Sequence, residues 1–394
     1  MDLTQGKAKS TIQNRKGPKS RDTLWTFLVL MIFAGSLRLT HPSVEDMPMR
    51  TDSIITVSPP EINPKQTDII EDTGEILEDK SSTGRIKPWV KKRILTEHVS
   101  LALALIEGNE KRSERCGNCG TFLGFAECEK GHRRLQTANF CEERVCPMCG
   151  WRRSMRLQIE TIHMLQKISF ENPRLRFIFF VFSQRNETDE TLKSGLDKVS
   201  KSWAKLRKRK EFSVVKGWMR TTEITYNTDP QSPWFHTWNN HMNVVIAVPE
   251  SYFHSKEYVK HERWREMWRE VMDLDYDPQV SVKAVKMIKS DGQMVPGIGA
   301  ALEVAKYTLK DSDLTGKTPE ETAERLKVLI PALKNRRLVD FGGIMKIKDP
   351  EKGDLVHIEG EDSIENHVKN CPTCGGELAL HIFRWFSDVR KYVG

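Results

Sequence analysis

The spacing of its eight cysteines constrains the fold of this 394-residue chain more than any other feature. Six of them lie between Cys116 and Cys149, far from the last two. Two thiols with C-x-x-C spacing are close enough to ligate one zinc ion, and three such pairs are present: Cys116/Cys119, Cys146/Cys149 and Cys371/Cys374. The pattern predicts a module held together by reduced thiolates on structural Zn²⁺ rather than by disulfides.

The grouping of these ligands stays open at the level of sequence. A tetrahedral zinc site needs four ligands, so the pair Cys371/Cys374 requires a complement from earlier in the chain. We expect that complement to be one of the other two C-x-x-C pairs, and the spacing does not choose between them. The remaining candidate ligands lie outside the pairs: Cys128, Cys141 and His132.

The net charge and the tryptophans indicate the class of partner, and the length indicates the number of folded units. The chain carries 62 Lys+Arg against 54 Asp+Glu, a formal charge of +8, which suits a polyanionic partner such as DNA. Ten tryptophans, many of them near Arg and Lys, offer surfaces on which unpaired bases can stack. A chain of 394 residues predicts two or three folded units.

The first 84 residues differ from the rest. The apolar run 24–37 follows a basic segment and is shorter than the ~20 residues that span a membrane, so no membrane partner is expected. A basic flank before a short apolar core is typical of a secretory signal. We favour the alternatives, an amphipathic appendage or translation from an upstream start. Residues 43–84 are polar and aperiodic, which predicts a disordered linker.

Three stretches have the composition of strands. Residues 175–183 are β-branched and aromatic, which predicts a buried strand. Residues 217–227 and 239–248 alternate in polarity on either side of a loop, which predicts an antiparallel pair. Helical periodicity occurs in further segments: 96–110, 151–168, 192–206, 261–272 and 318–333.

The predicted strand pair carries a candidate metal site. Side chains on a strand repeat every two residues, so His241 and Asn243 share one face, and Glu223 on the partner strand can face them. One imidazole, one amide oxygen and one carboxylate form a mixed set that suits Mg²⁺ or Mn²⁺.

A second group of polar side chains lies at residues 303–310. Good helix formers follow a flexible loop there, which predicts a helix. On that helix Glu303 and Tyr307 would share a face, with Lys306 and Lys310 in the adjoining row. A carboxylate, a phenol and two ammonium groups form a candidate base, nucleophile and phosphate clamp. Taken alone, such a pair is more often a solvated helix face.

In this order, these motifs resemble the rolling-circle replication initiators of small bacterial plasmids, members of the HUH endonuclease superfamily. The resemblance is carried by the buried strand 175–183, by Glu223-Ile224-Thr225-Tyr226-Asn227, by His241-Met242-Asn243 and by Glu303-Val304-Ala305-Lys306-Tyr307. The sequence segments 275–278 and 338–343 are also similar to segments of these initiators. The resemblance covers roughly residues 85 to 390.

The resemblance implies an α+β fold: an HUH-type antiparallel sheet flanked by helices, with the metal strand central, beside a cysteine-rich zinc-binding module. It implies that Tyr307 attacks a phosphodiester in a single-stranded origin hairpin, leaving a 5′-phosphotyrosine and a 3′-OH primer. Glu303 would activate water for the hydrolysis that ends replication. Lys306 and Lys310 would neutralise phosphate. A host helicase and a polymerase are implied as partners, in the cytoplasm.

One position departs from the pattern. The superfamily is named for two histidines, and Asn243 stands at the second. The amide oxygen of Asn can still ligate a hard cation. His236 is the alternative source of a second imidazole.

The resemblance also organises the chain into four parts. We expect an N-terminal extension at 1–84, a cysteine module with helices at 85–170, an HUH nicking domain at 171–315, and a C-terminal helical segment with a zinc knuckle at 316–394. Two other functions stay open: a zinc-ribbon DNA-binding regulator without enzymatic activity, and a transposase or relaxase of the same superfamily.

Overall fold

The computed structural model describes residues 74–81, 84–290, 293–305, 309–347, 353–358, 370–371 and 373–394. The apolar run 24–37 therefore lies outside the described residues, and so do Lys306 and Tyr307.

The described residues form the following elements. The helices are α1 (Trp89–Ala104), α2 (Glu110–Asn118), α3 (Pro147–Glu171), α4 (Leu192–Leu206), α5 (His261–Met272), α6 (Ile298–Val304), α7 (Asp311–Leu314) and α8 (Pro319–Leu333). The strands are β1 (Phe122–Cys128), β2 (Arg133–Ala138), β3 (Leu175–Ser183), β4 (Gly217–Tyr226), β5 (Trp238–Pro249), β6 (Val280–Ala284), β7 (Met287–Ser290), β8 (Gln293–Pro296), β9 (Val339–Gly343), β10 (Leu378–Phe386) and β11 (Lys391–Val393).

Five of the described strands form a central sheet in the order β6–β3–β5–β4–β9, and every pairing in it is antiparallel. The strand β5 lies in the middle, with Val181 of β3 and Thr221 of β4 on either side of Asn243. The predicted α+β fold with an antiparallel sheet flanked by helices is confirmed. The predicted pairing of β4 with β5 is confirmed as well.

The two faces of this sheet are covered differently. Helices α4 and α5 pack their apolar side chains over one face, against residues such as Phe180 and Val244. On the other face, α3 and α6 cover Val245 and Ala247. The same face continues along β5 to His241, where the side chains become polar. The face that α3 and α6 cover thus has a polar end, at His241.

A four-stranded sheet builds the cysteine module. Four described strands pair in the order β11–β10–β1–β2, and β10 runs antiparallel to the whole length of β1. Residues 74–81 attach to it, because Ile76 bridges Val393 and the Trp89 indole donates a 2.7 Å hydrogen bond to Asp79. The predicted disorder is therefore wrong for residues 74–81.

Strands that follow the predicted boundary at residue 316 pair with strands that precede it. Strand β9 completes the central sheet, whereas β10 and β11 complete the module sheet. Residues 316–394 thus contribute to two layers and do not form a separate segment.

The first residues of α8 have the sequence that is typical of a helix start. The Thr318 side chain accepts a hydrogen bond from the Glu321 N–H, and Pro319 takes the first helical position of α8. The segment 318–333 is thus helical, as its periodicity predicts. The helix expected to run through 303–310 is wrong. Helix α6 ends at Val304, Leu309 forms a parallel bridge with Ile224 of β4, and α7 begins only at Asp311.

The close contact between β4 and β9 depends on a glycine. Gly343 has φ +63°, and a Cβ there would lie 2.1 Å from the Lys216 carbonyl oxygen. We expect Gly343→Ala to lower the free energy of unfolding by about 2 kcal/mol or more, from left-handed strain and overpacking together. Denaturant unfolding measures this change.

The matched control is Gly299→Ala, because a Cβ at Gly299 would meet nothing within 4 Å. That variant should match the wild type or gain up to about 1 kcal/mol. Equal stability of the two variants would refute the proposed contact.

Candidate functional site

The predicted metal ligands meet on the polar end of the central sheet. Glu223 lies directly opposite His241 in the β4–β5 register. The His241 Nε2 atom lies 2.9 Å from Glu223 Oε2, and the Asn243 amide donates to the same oxygen at 3.3 Å. Glu223 and Asn243 are buried, and the His241 side chain is partly exposed. The structure thus brings together all three residues that the sequence proposed for this site.

Lys310 completes this cluster. Its ammonium contacts Glu223 Oε1 at 2.7 Å, so both oxygens of the carboxylate have positive or N–H partners. Burial alone would raise the pKa of Glu223, but the hydrogen bonds from His241 and Lys310 outweigh it and lower the pKa to about 2. Burial would lower the pKa of Lys310, but its bond to Glu223 leaves that pKa raised. The pair is therefore fully charged at neutral pH.

The three side chains fit a hard divalent cation. Neighbouring ligands of an octahedral Mg²⁺, each at ~2.1 Å, lie about 3 Å apart. The 2.9 Å between His241 Nε2 and Glu223 Oε2 is an ordinary hydrogen-bond length that also matches this spacing. The Asn243 carboxamide can present its oxygen after a half-turn about its last bond, because its two ends have the same shape.

The other predicted catalytic groups are placed only in part. Glu303 lies exposed in the last turn of α6, and its charge contributes to raising the pKa of Lys310. Lys306 and Tyr307 lie outside the described residues, between Ala305 and Leu309. His236, the alternative imidazole, lies in the loop before β5, where its ring stacks on Phe235 at 3.7 Å.

Asp313 belongs to the same neighbourhood and was missed in the sequence. It is buried at 7% exposure, and its Oδ1 accepts a hydrogen bond from the Tyr226 N–H at 3.2 Å. Its Oδ2 has no hydrogen-bond partner among the described residues. Burial raises the pKa of Asp313 to about 6, against the opposing bond from Tyr226 and the charge of Lys310. No local pattern marks it, because its burial depends on contacts between α7 and β4.

The first cysteine cluster contains one thiol more than a tetrahedral site uses. The four sulfurs of Cys119, Cys141, Cys146 and Cys149 all lie within 4.8 Å of one another. The predicted ligand Cys116 stands beside them, 3.9 Å from Cys141. Backbone N–H groups donate to two of the sulfurs, from Cys141 to Cys119 and from Glu142 to Cys149. Cys141 therefore joins the set, although it belongs to no C-x-x-C pair.

The second cluster joins distant parts of the chain. Cys128 lies 3.5 Å from Cys374, and the His132 Nδ1 atom lies 3.6 Å from Cys371, sulfur to nitrogen. These four ligand atoms also lie within 4.8 Å of one another. The expected sharing of Cys371/Cys374 with an earlier C-x-x-C pair is wrong. The pairing of β1 with β10 brings Cys128 to them instead.

Comparison with known proteins shows which family the chain belongs to. The profile of a family described as "Replication protein" matches residues 132–390. The chain belongs to this family. The membership confirms the resemblance drawn from the sequence.

Individual relatives agree with the family profile. "Protein rep" of Lactiplantibacillus plantarum is 33% identical over 305 residues, 75% of this chain and 93% of that protein. "Protein rep" of Bacillus amyloliquefaciens is 32% identical over 349 residues, 82% and 98% of the two chains. A "Replication protein" of Staphylococcus aureus is 30% identical over 222 residues, 54% and 91%. No solved structure matches the chain.

Within the described part of this replication protein, none of the helices combines the length and the apolar character needed to cross a membrane.

The buried Asp313 carboxyl should make stability depend on pH. Its pKa is 3.8 in a model compound and about 6 in the folded chain, so the folded state binds more protons between these values. Stability therefore falls as the pH rises from about 4 to above 6. We expect Asp313→Asn to exceed the wild type by up to about 2–3 kcal/mol at pH 8 and by little at pH 4.5. Urea unfolding at the two pH values measures the difference.

Asp388→Asn at an exposed position is the control and should show no such pH-dependent gain. An Asp313→Asn variant whose difference from the wild type is the same at both pH values would contradict the burial of a charge-sensitive carboxyl.

Proposed function

We propose that this replication protein initiates plasmid replication by nicking one DNA strand at the origin, with Tyr307 as nucleophile. The observation that carries the proposal is the cluster of Glu223, His241, Asn243 and Lys310 on the central strands of the sheet. The names of the relatives support the role in replication. The origin DNA is the partner, and a host helicase and polymerase would extend the primer.

Glu223, His241 and Asn243 would hold Mg²⁺ or Mn²⁺. A cation bound there supplies positive charge to a phosphate oxygen when negative charge builds up on it. Lys310 is placed to do the same with its ammonium, and its charge does not depend on a bound ion. The buried Glu223 carboxylate keeps these positive groups in one place.

The position of Tyr307 in the chain is compatible with attack at this site. Its described neighbours lie along β4: Ala305 is buried against the sheet, and Leu309 bridges Ile224, next to Glu223. In the proposed reaction the phenol oxygen forms a bond to phosphorus and the bond to the 3′ oxygen breaks. The phenol loses its proton, and the 3′ oxygen gains one. Glu303, exposed near Lys310, would later take a proton from the water that hydrolyses the phosphotyrosine.

We expect Tyr307→Phe to lose nicking by at least about 1,000-fold, because the nucleophile is gone while the fold is kept. The assay incubates the full chain with Mn²⁺ and a supercoiled plasmid carrying the cognate origin. The wild type should give relaxed plasmid and a covalent adduct, mapped to Tyr307 by mass spectrometry. The control Tyr258→Phe, at an exposed tyrosine before α5, should nick normally.

Glu303→Ala should form the adduct and fail to hydrolyse it. Tight origin binding by the wild type with no adduct would instead support a non-enzymatic DNA-binding regulator. An adduct on another residue would remove Tyr307 from its role.

We also propose that both cysteine clusters hold structural Zn²⁺. In a tetrahedral site with Zn–S bonds of ~2.3 Å, sulfurs lie about 3.8 Å apart. The separations of 3.5 Å for Cys119 and Cys149 and 3.7 Å for Cys141 and Cys149 are close to this value. Such sites have no open position for a substrate, so their role is to join the strands and helices that supply the ligands.

The fifth thiol makes the ligand set testable. We expect two zinc ions per chain, and the loss of one in Cys141→Ser because only three of the four mutually close thiols then remain and Cys116 lies outside that set. Cys116→Ser should keep both ions. Zinc content by mass spectrometry, with denaturant unfolding alongside, measures the difference. Loss of zinc in Cys116→Ser with retention in Cys141→Ser would restore the pairing of two C-x-x-C motifs.

A further inference from the structure

The polar end of the central sheet opens into a cavity of about 800 Å³. It lies where β3 and β4 end and β5 and β6 begin, at the end of the face that α3 and α6 do not cover. Its lining residues come from these strand ends and the adjoining loops: Val181, Ser183, Gln184, Arg185, Asn186, Thr225, Tyr226, Asn227, Trp234, Asn239, His241, Tyr276, Gln279 and Ser281. His241 belongs to both the cavity and the candidate metal site.

The chemistry of this lining differs from that of the metal site. The described residues that line the cavity include no carboxylate and no lysine, and Arg185 is the one permanent charge among them. Amide and hydroxyl groups alternate with the rings of Tyr226, Trp234 and Tyr276. Amides both donate and accept hydrogen bonds, and aromatic rings stack on flat faces. A nucleic acid base has such edges and faces, whereas a phosphate calls for cations.

The aromatic groups are held in place before any ligand arrives. The loop that presents Trp234 is closed by hydrogen bonds from Asn227 N–H to the Thr237 carbonyl at 2.9 Å and from His236 N–H to the Asn227 carbonyl at 3.0 Å. Trp234 nevertheless remains 48% exposed. On another wall, the Arg185 guanidinium lies over the Tyr276 ring at 4.0 Å. Trp234 thus presents a large exposed ring on a loop closed by hydrogen bonds, and such a ring is a surface for stacking.

A chain of hydrogen bonds connects the cavity wall to the metal site. The Asn186 amide donates to Thr237 at 2.8 Å, and the Asn239 amide donates to Asn186 at 3.1 Å. The Asn239 oxygen lies 3.3 Å from His241 Nδ1, which turns the Nε2 of that ring toward Glu223. A group bound in the cavity therefore lies next to whatever Glu223 and His241 hold.

We propose that this cavity binds one unpaired base of the DNA strand, adjacent to the phosphate at the Glu223–His241 site. Trp234 supplies the stacking surface, and the exposed Gln279 carboxamide reaches the base edge. The inference rests on the proposed function for the identity of the strand. Binding of the base would fix the neighbouring phosphate relative to His241, so the cavity would contribute to the choice of the cleaved bond.

The test compares single-stranded DNA with and without bases. Short homopolymeric deoxyoligonucleotides, and an abasic oligonucleotide of equal length and charge, are titrated by fluorescence anisotropy in the absence of added Mg²⁺ or Mn²⁺. We expect the wild type to bind its preferred homopolymer about 5- to 100-fold more tightly than the abasic strand. Trp234→Ala should lose most of this preference and bind the abasic strand as the wild type does.

Two further variants serve as controls. Trp234→Tyr keeps an aromatic face and should retain most of the preference. Phe170→Ala removes an exposed ring at the end of α3, away from the cavity, and should change nothing. A Trp234→Ala chain that folds normally and keeps the wild-type preference would overturn the proposal. Equal binding of abasic and base-bearing strands by the wild type would overturn it as well.

Failure of this inference and failure of the nicking proposal are distinguishable. The titration needs neither cleavage nor an origin sequence, so a chain that does not nick still gives an answer. Normal nicking together with an unchanged base preference in Trp234→Ala would remove the cavity proposal alone.

Discussion

The register between β4 and β5 is the constraint on which the site depends. It sets Glu223 directly opposite His241, and the two-residue repeat of a strand then puts Asn243 and Thr225 on the same face. A slip of one residue would send Glu223 to the opposite face, where α4 and α5 pack. The register is secured by burial, because Met219, Val245 and Ala247 on the site's face lie under α3 and α6. Apolar packing at one end of the face thus fixes polar geometry at the other.

A buried carboxylate at that position needs positive charge beside it. Glu223 is 5% exposed, and an ionised carboxylate with so little solvent is costly unless it is paired. Lys310 supplies the charge from a segment that leaves helix geometry after Val304 and pairs through Leu309 with β4. The end of α6 is therefore part of the site: a continuous helix through residue 310 would not make the Leu309 bridge that places Lys310 at Glu223.

These contacts explain which features could be predicted from the sequence. Strand alternation and helical periodicity are local, so the pair β4–β5 and the helix at 318–333 were predicted correctly. The helix through 303–310 was not, because a bridge to Ile224 overrides the propensity of good helix formers. The cysteine grouping failed for a similar reason. Cys128 and Cys374 are 246 positions apart, and only the pairing of β1 with β10 brings them together.

Helix α1 contacts both the cysteine module and the segment that carries Lys310. The Thr96 hydroxyl of this helix accepts the Met148 N–H and lies 3.7 Å from Cys146, so it contacts the first thiol cluster. One turn earlier, Lys92 forms a 2.6 Å ion pair with Asp311, the residue after Lys310. Helix α3 makes a second connection, since it begins beside Cys146 and its later turns pack Ile162 and Leu165 on the central sheet. The first thiol cluster is thus joined to the segment that carries Lys310 through α1, and to the central sheet through α3.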